Sequence, residues 1–75
     1  MLGRLKEIFV NILEVDIEEL TDSFNPDDNM LWDSMNNLRL ITAIEDEFNI
    51  KISMEEIGAM VDFGKIAEVV QKHLG

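Results

Sequence analysis

Leu31-Trp32-Asp33-Ser34-Met35 opens an apolar-periodic run that ends at Phe48, and the reading of this stretch decides the fold. At about 100° per residue, Leu38, Leu40, Ile41, Ile44 and Phe48 fall within an arc of roughly 160°, the pattern of a helix with one buried face. Arg39, Thr42 and Asp46 point the other way, and Met35 falls in line with them. Asp33 is a natural N-cap, because its carboxylate can accept the unpaired backbone N–H groups of the first turn. Ser34 then lies in that first turn, with its hydroxyl near the positive end of the helix dipole. A phosphate attached there would sit in a favourable field. An exposed methionine beside an exposed serine marks a docking face.

Working toward the N-terminus, Leu2, Leu5, Ile8, Phe9, Ile12 and Leu13 repeat at helical spacing. They predict an amphipathic helix from about Leu2 to Glu14 whose apolar face packs in a core. Between this helix and the next, Val15 to Trp32 runs without sustained periodicity, long for a loop in a compact domain. Asp27-Asp28-Asn29 after Pro26 reads as turn chemistry. Leu20, Phe24, Met30 and Leu31 are the apolar anchors expected to pin the loop across the helices, and Trp32 is read as a further anchor, with a wall beside Ser34 as its other reading. A calcium loop starting at Asn25 fails, because Met30 stands where the loop needs Gly and Asn36 where it needs Glu.

Toward the C-terminus, Asn49 to Lys51 form a short break. Ser53-Met54-Glu55-Glu56 is a capping box, flanked by Ile52 and Ile57 as a hydrophobic staple. Gly58 keeps the helix that follows short. Asp62 repeats the cap, with Val61 and Ile66 as its staple. Phe63, Ile66, Ala67, Val69, Val70 and Leu74 cover one face of a last helix, and Gly75 terminates it. The fold class is therefore all-α: four helices, the third short, with a long first loop.

Seventy-five residues make one domain, 1–75, and without Cys no disulfide assists it. Sixteen acidic residues against six basic ones give a net charge of −10. That excludes nucleic acid and disfavours anionic membranes, both of which need Lys and Arg. A basic protein surface is the natural complement, although solubility alone also accounts for such acidity. No apolar run reaches the length that spans a bilayer, so no membrane insertion is expected and the cytoplasm is the default location. Catalysis by the chain itself is not expected. The only His, His73, lies in the last turn of the last helix, where it complements the C-terminal dipole. No Cys, Tyr or clustered His supplies a general base or metal ligands.

Asp33-Ser34-Met35, followed by Leu38, Leu40-Ile41 and Ala43-Ile44-Glu45-Asp46-Glu47-Phe48-Asn49-Ile50, resembles the acyl carrier proteins, and Glu18-Glu19-Leu20-Thr21 is similar to a stretch of their first loop. The likeness covers essentially the whole chain. It implies an acyl-carrier-like four-helix bundle in which Ser34 bears 4′-phosphopantetheine, whose thiol carries acyl groups as thioesters. Asp33 would be read by the phosphopantetheinyl transferase as well as cap the helix, the cap alone being worth about 1 kcal/mol. Met35, Asn36, Arg39, Thr42, Glu45, Asp46, Glu55 and Glu56 would form the surface that meets acyl-loading and acyl-transfer enzymes with basic docking surfaces. The implied protein is a monomer. Aminoacyl or peptidyl carriage is an alternative within the same class, and a small acidic helical adaptor without prosthetic group is the alternative outside it.

The chain departs from carriers of primary fatty acid synthesis at two places. Leu31 and Trp32 stand where such carriers have a Gly before the modified serine. Asn36, Asn37 and Arg39 stand where they tend to be acidic. The departures point to a free-standing carrier of a specialised pathway. A plainer reading of Arg39 is an exposed ion pair with Asp33.

Overall fold

The computed structural model describes residues 1–75 and contains helices and turns only. Helices α1 (Leu2–Leu13), α2 (Ser34–Phe48), α3 (Met54–Ala59) and α4 (Phe63–Leu74) follow in that order, with two 3₁₀ turns, Ile17–Glu19 and Pro26–Asp28, inside the long first loop. None is long and apolar enough to cross a membrane.

Helix α1 turns Leu5, Ile8, Phe9 and Leu13 inward. It stops at Glu14, which takes the left-handed conformation (φ 55°) and returns its N–H to the Val10 carbonyl at 3.0 Å. Asn49 closes α2 in the same way, with φ 54° and its N–H on the Glu45 carbonyl. An asparagine tolerates that region better than most residues, and the short break expected at 49–51 begins there. Helices α1 and α2 are also joined at the surface. Arg4 Nε donates to Glu47 Oε2 at 2.7 Å, and the guanidinium lies 5.4 Å from the centre of the Phe48 ring.

The core is one cluster of seventeen buried apolar residues drawn from α1, α2, α4 and the segments between helices, with the half-buried Ile57 of α3 packed against it. Phe9 is at its centre, edge-on to Trp32 (5.4 Å between ring centres) and to Phe63 (5.0 Å). Phe24 stacks on Trp32 with ring centres 5.7 Å apart. Each such ring taken out of water contributes about 1.5–3 kcal/mol, so this aromatic group is a large share of what a chain of this size can bury.

The long loop is held by hydrogen bonds as much as by burial. Each of its 3₁₀ turns carries a capping box, Asp16 with Glu19 and Asn25 with Asp28. Two backbone bonds then splice the loop to the start of α4: the Phe63 N–H donates to the Phe24 carbonyl (2.8 Å) and the Gly64 N–H to the Asp22 carbonyl (2.9 Å). Gly64 is required there, since a Cβ would stand 2.9 Å from the Asp22 carbonyl oxygen.

Several expectations are corrected. Leu20 and Phe24 do anchor the loop, but Met30 is 98% exposed and Leu31 41% exposed. The Asn29 side chain holds a turn by accepting the Leu31 N–H at 2.8 Å, and Asn36 Nδ2 pulls the Leu31 carbonyl toward α2 at 2.6 Å. That turn puts Trp32 inward and its two predecessors outward. Leu38, at the edge of the apolar arc, is 63% exposed. Leu40, Ile41, Ile44 and Phe48 already fill the inner face of α2. Leu2 and Leu74, at the free ends of their helices, are exposed, and Ile12 is only half-buried. The second staple is absent because Val61 faces solvent, the entry to α4 being fixed by the two spliced backbone bonds instead.

Candidate functional site

Two of the chain's three serines begin helices, and their hydroxyls are used differently. At α3, the Ser53 hydroxyl accepts the Glu56 N–H at 3.1 Å while the Glu56 carboxylate accepts the Ser53 N–H at 2.9 Å, the capping box read from sequence. At α2 the cap is taken by the preceding acid: Asp33 Oδ1 accepts the Asn36 N–H at 2.9 Å. Ser34 therefore begins the helix with an exposed side chain that is not needed as a cap. Asp62 caps α4 as Asp33 caps α2, accepting the Lys65 N–H at 2.8 Å.

A notch of about 400 Å³ opens beside Ser34, lined by Pro26, Trp32, Asp33, Ser34, Asn37 and Met60. The loop, the start of α2 and the end of α3 all contribute to it. Trp32 thus fills both roles weighed for it. Its ring is buried in the aromatic group, one side lines the notch, and its indole N–H donates to Asn37 Oδ1 at 2.9 Å. Asn37 falls on the inward side of α2, and this bond is why a polar residue is tolerated there.

The residues expected to meet partners divide in two. Met35, Arg39, Thr42, Asp46 and Glu55 are exposed. Asn36, Glu45 and Glu56 are half-buried and engaged internally. Asn36 holds the Leu31 carbonyl, and Glu45 Oε2 accepts the Ile52 N–H at 2.8 Å, closing the break after α2. Glu56 is the most heavily used acid on the chain. The Ser53 amide, the His73 ring and the Ser53 hydroxyl together hold its carboxyl far below the ordinary 4.5, at about 2. His73 Nε2 lies 2.9 Å from both Glu56 oxygens. The histidine placed by sequence at the C-terminal dipole is there, but its main partner is a side chain seventeen residues earlier, which no local pattern could indicate. Arg39 does not pair with Asp33. Its one polar contact is Asn36 Oδ1 at 3.3 Å. No group of three or more His, Cys, Asp or Glu is placed to hold a metal ion.

The family model described as "Phosphopantetheine attachment site" matches residues 3–72. The chain belongs to the acyl carrier protein family. It is 29% identical to the acyl carrier protein of Phenylobacterium zucineum over all of this chain and 95% of that one. It is 30% identical to that of Clostridium perfringens over 97% of this chain and 96% of that one. Among solved structures, a holo acyl carrier protein from Geobacter metallireducens superposes with a TM-score of 0.88 at 30% identity, covering 97% of this chain and 84% of that chain. The fold is thus that of the acyl carriers, as the four-helix reading expected.

Proteins of this family carry, and do not themselves transform, their cargo; their cofactor is covalently attached 4′-phosphopantetheine. Its terminal thiol supplies the reactive atom, and the protein supplies tethering and recognition. Family membership removes the adaptor reading, since that reading lacked the prosthetic group.

Proposed function

We propose that Ser34 is the attachment point of the phosphopantetheine and that residues 1–75 act as one monomeric carrier domain in the cytoplasm, presenting acyl thioesters to separate enzymes of a specialised biosynthetic pathway. One observation carries the attachment site: Ser34 begins the longest helix with an exposed side chain, while the cap it would otherwise form is made by Asp33. Joining a phosphate ester to that hydroxyl costs the fold no hydrogen bond. It also puts the anion at the N-terminal end of a fifteen-residue helix, where the dipole favours it. The same modification at Ser53 would break the α3 capping box. Asp33, adjacent and exposed, is the acid that a transferase approaching Ser34 meets first.

The specialised pathway rests on the surface just beyond. A basic enzyme surface suits an acidic α2, yet in the first turns of this α2 Asn36 and Asn37 are turned to internal bonds and the exposed charge is an Arg39 that no acid neutralises. A flexible arm raises the effective concentration of its cargo only for an enzyme that can dock here, so this patch selects among partners.

The test is intact-protein mass spectrometry after incubation with coenzyme A, Mg²⁺ and a phosphopantetheinyl transferase. Wild-type protein gains one phosphopantetheine, and Ser34→Ala gains none while keeping its helical circular dichroism. Modification of Ser34→Ala would remove the assignment.

A further inference from the structure

The outward face of α2 combines three features. The first is a shallow groove of about 440 Å³ between α1 and α2, lined by Ile12, Met35, Leu38, Arg39, Thr42 and Ala43. Met35 is 72% exposed at its rim, beside the exposed Leu38. Two large apolar side chains left together in water, next to a groove, mark a contact surface rather than scattered surface apolarity.

The second is Arg39, which contributes to the same groove. Arg4 and Lys65 each hold an acid on this acid-rich chain, whereas Arg39 holds only the neutral amide of Asn36. Its guanidinium keeps a full charge and most of its donors free, and the geometry of those donors matches a carboxylate. The third is Asp46, exposed on the same stripe seven residues on. Two turns of helix separate it from Arg39, about 10 Å along the axis.

We propose that this face docks a partner enzyme bearing a carboxylate opposite Arg39, an apolar side chain in the groove and a cation opposite Asp46. The inference rests on the carrier reading and names the partner's chemistry. Charge complementarity selects the occupant. The net charge of −10 draws in a partner that is basic overall, while the single carboxylate decides which basic partner stays, since like charges brought together at an interface exclude the wrong one.

The probe is a fatty-acid-synthesis ketosynthase whose docking patch is uniformly basic, together with variants in which each Lys or Arg of that patch is changed in turn to Glu. Wild-type, Arg39→Glu and Arg39→Gln carriers are first converted to the holo and acyl forms and checked by mass. A failure at that step speaks against Ser34 as the attachment point and not against the docking face. Dissociation constants of the holo proteins, by calorimetry, and elongation rates of the acyl forms are then compared.

Arg39→Glu is expected to bind the unmodified ketosynthase about tenfold more tightly than wild type, the size that one close interfacial charge pair supports. Arg39→Gln should fall between them, and melting temperatures should agree within a degree or two because the side chain is exposed and unpaired. One Lys→Glu or Arg→Glu ketosynthase should reverse the order and prefer wild-type Arg39. Leu38→Ser should weaken binding to every ketosynthase alike. Equal constants for the three carriers, or a preference for Arg39→Glu that no ketosynthase variant reverses, would overturn the proposal.

Discussion

Two helical glycines should respond to the same substitution with opposite sign. At Gly58, inside α3, a Cβ meets nothing within 4 Å. Gly58→Ala therefore gains helix propensity and reduces the entropy of the unfolded chain, a stabilisation of about 0.5–1 kcal/mol. Gly64, in the first turn of α4, has part of the same gain available, but its Cβ would lie 2.9 Å from the Asp22 carbonyl oxygen and 3.0 Å from Asp22 Cβ. That oxygen also accepts the Gly64 N–H at 2.9 Å, so the two segments cannot separate without losing a hydrogen bond. The neighbour is backbone, and no rotamer change relieves the contact. Overpacking of this kind costs about 1–3 kcal/mol, which outweighs the propensity gain and leaves Gly64→Ala destabilised by about 1–2 kcal/mol. For a domain of this length that lowers the melting temperature by about 5–15 °C, while Gly58→Ala raises it by about 2–8 °C. Thermal unfolding followed by circular dichroism reads both. A Gly64→Ala protein that melts at or above wild type would refute the argument, because the splice between loop and α4 would then be too loose to fix the start of that helix.

Two other perturbations follow from bonds within the fold. Glu56 has a folded value of about 2 against an ordinary 4.5, so the stability it contributes is complete above 4.5 and is lost as pH falls toward 2; melting curves stepped across that interval should fall more steeply for wild type than for Glu56→Gln, and parallel curves would show that the cap and His73 do not favour the carboxylate. Asn37→Ala leaves the buried indole N–H of Trp32 without its acceptor and should cost about 1–2 kcal/mol in urea unfolding. Combined with Trp32→Phe, which removes the donor as well, the double variant should lose less than the sum of the two single losses, and strict additivity would mean that the bond carries no stability.

What could be read from the sequence was whatever the chain encodes within a few residues. Asp33, Ser53 and Asp62 announce three helix starts because a cap and the amides it serves are neighbours along the chain. The inner faces of α1, α2 and α4 follow from side-chain period for the same reason. The period misleads at its edges: Leu38 lies inside the apolar arc, but only the packing of Leu40, Ile41, Ile44 and Phe48 decides that there is no room for it. The turn at Asn29 defeats the expectation for Met30 and Leu31, because an amide side chain sets the direction there and hydrophobicity does not. Pairs far apart in sequence carry no local sign at all. Arg4 with Glu47, Glu56 with His73, and the two bonds from the loop to α4 become visible only once the helices are in place. At the candidate site the serine, its cap and the outward stripe from Met35 to Asp46 were legible, while the notch was not, since Pro26 and Met60 reach it from segments far apart in sequence.

The methionines are sorted by exposure in a way that bears on chemical damage. With no cysteine present, the thioethers are the sulfur atoms an oxidant finds on the polypeptide. Met30, Met35 and Met54 stand in solvent, whereas Met60 is closed into the core. Peroxide turns an accessible thioether into a polar, chiral sulfoxide, a change that methionine sulfoxide reductases reverse. Sulfoxidation at Met35 would put that polar group at the rim of the α1–α2 groove while leaving Phe9, Trp32 and Phe63 packed as before. An oxidant thus reaches the proposed docking face before it reaches the core, and on that proposal a chain that still melts normally can already have lost its fit to a partner.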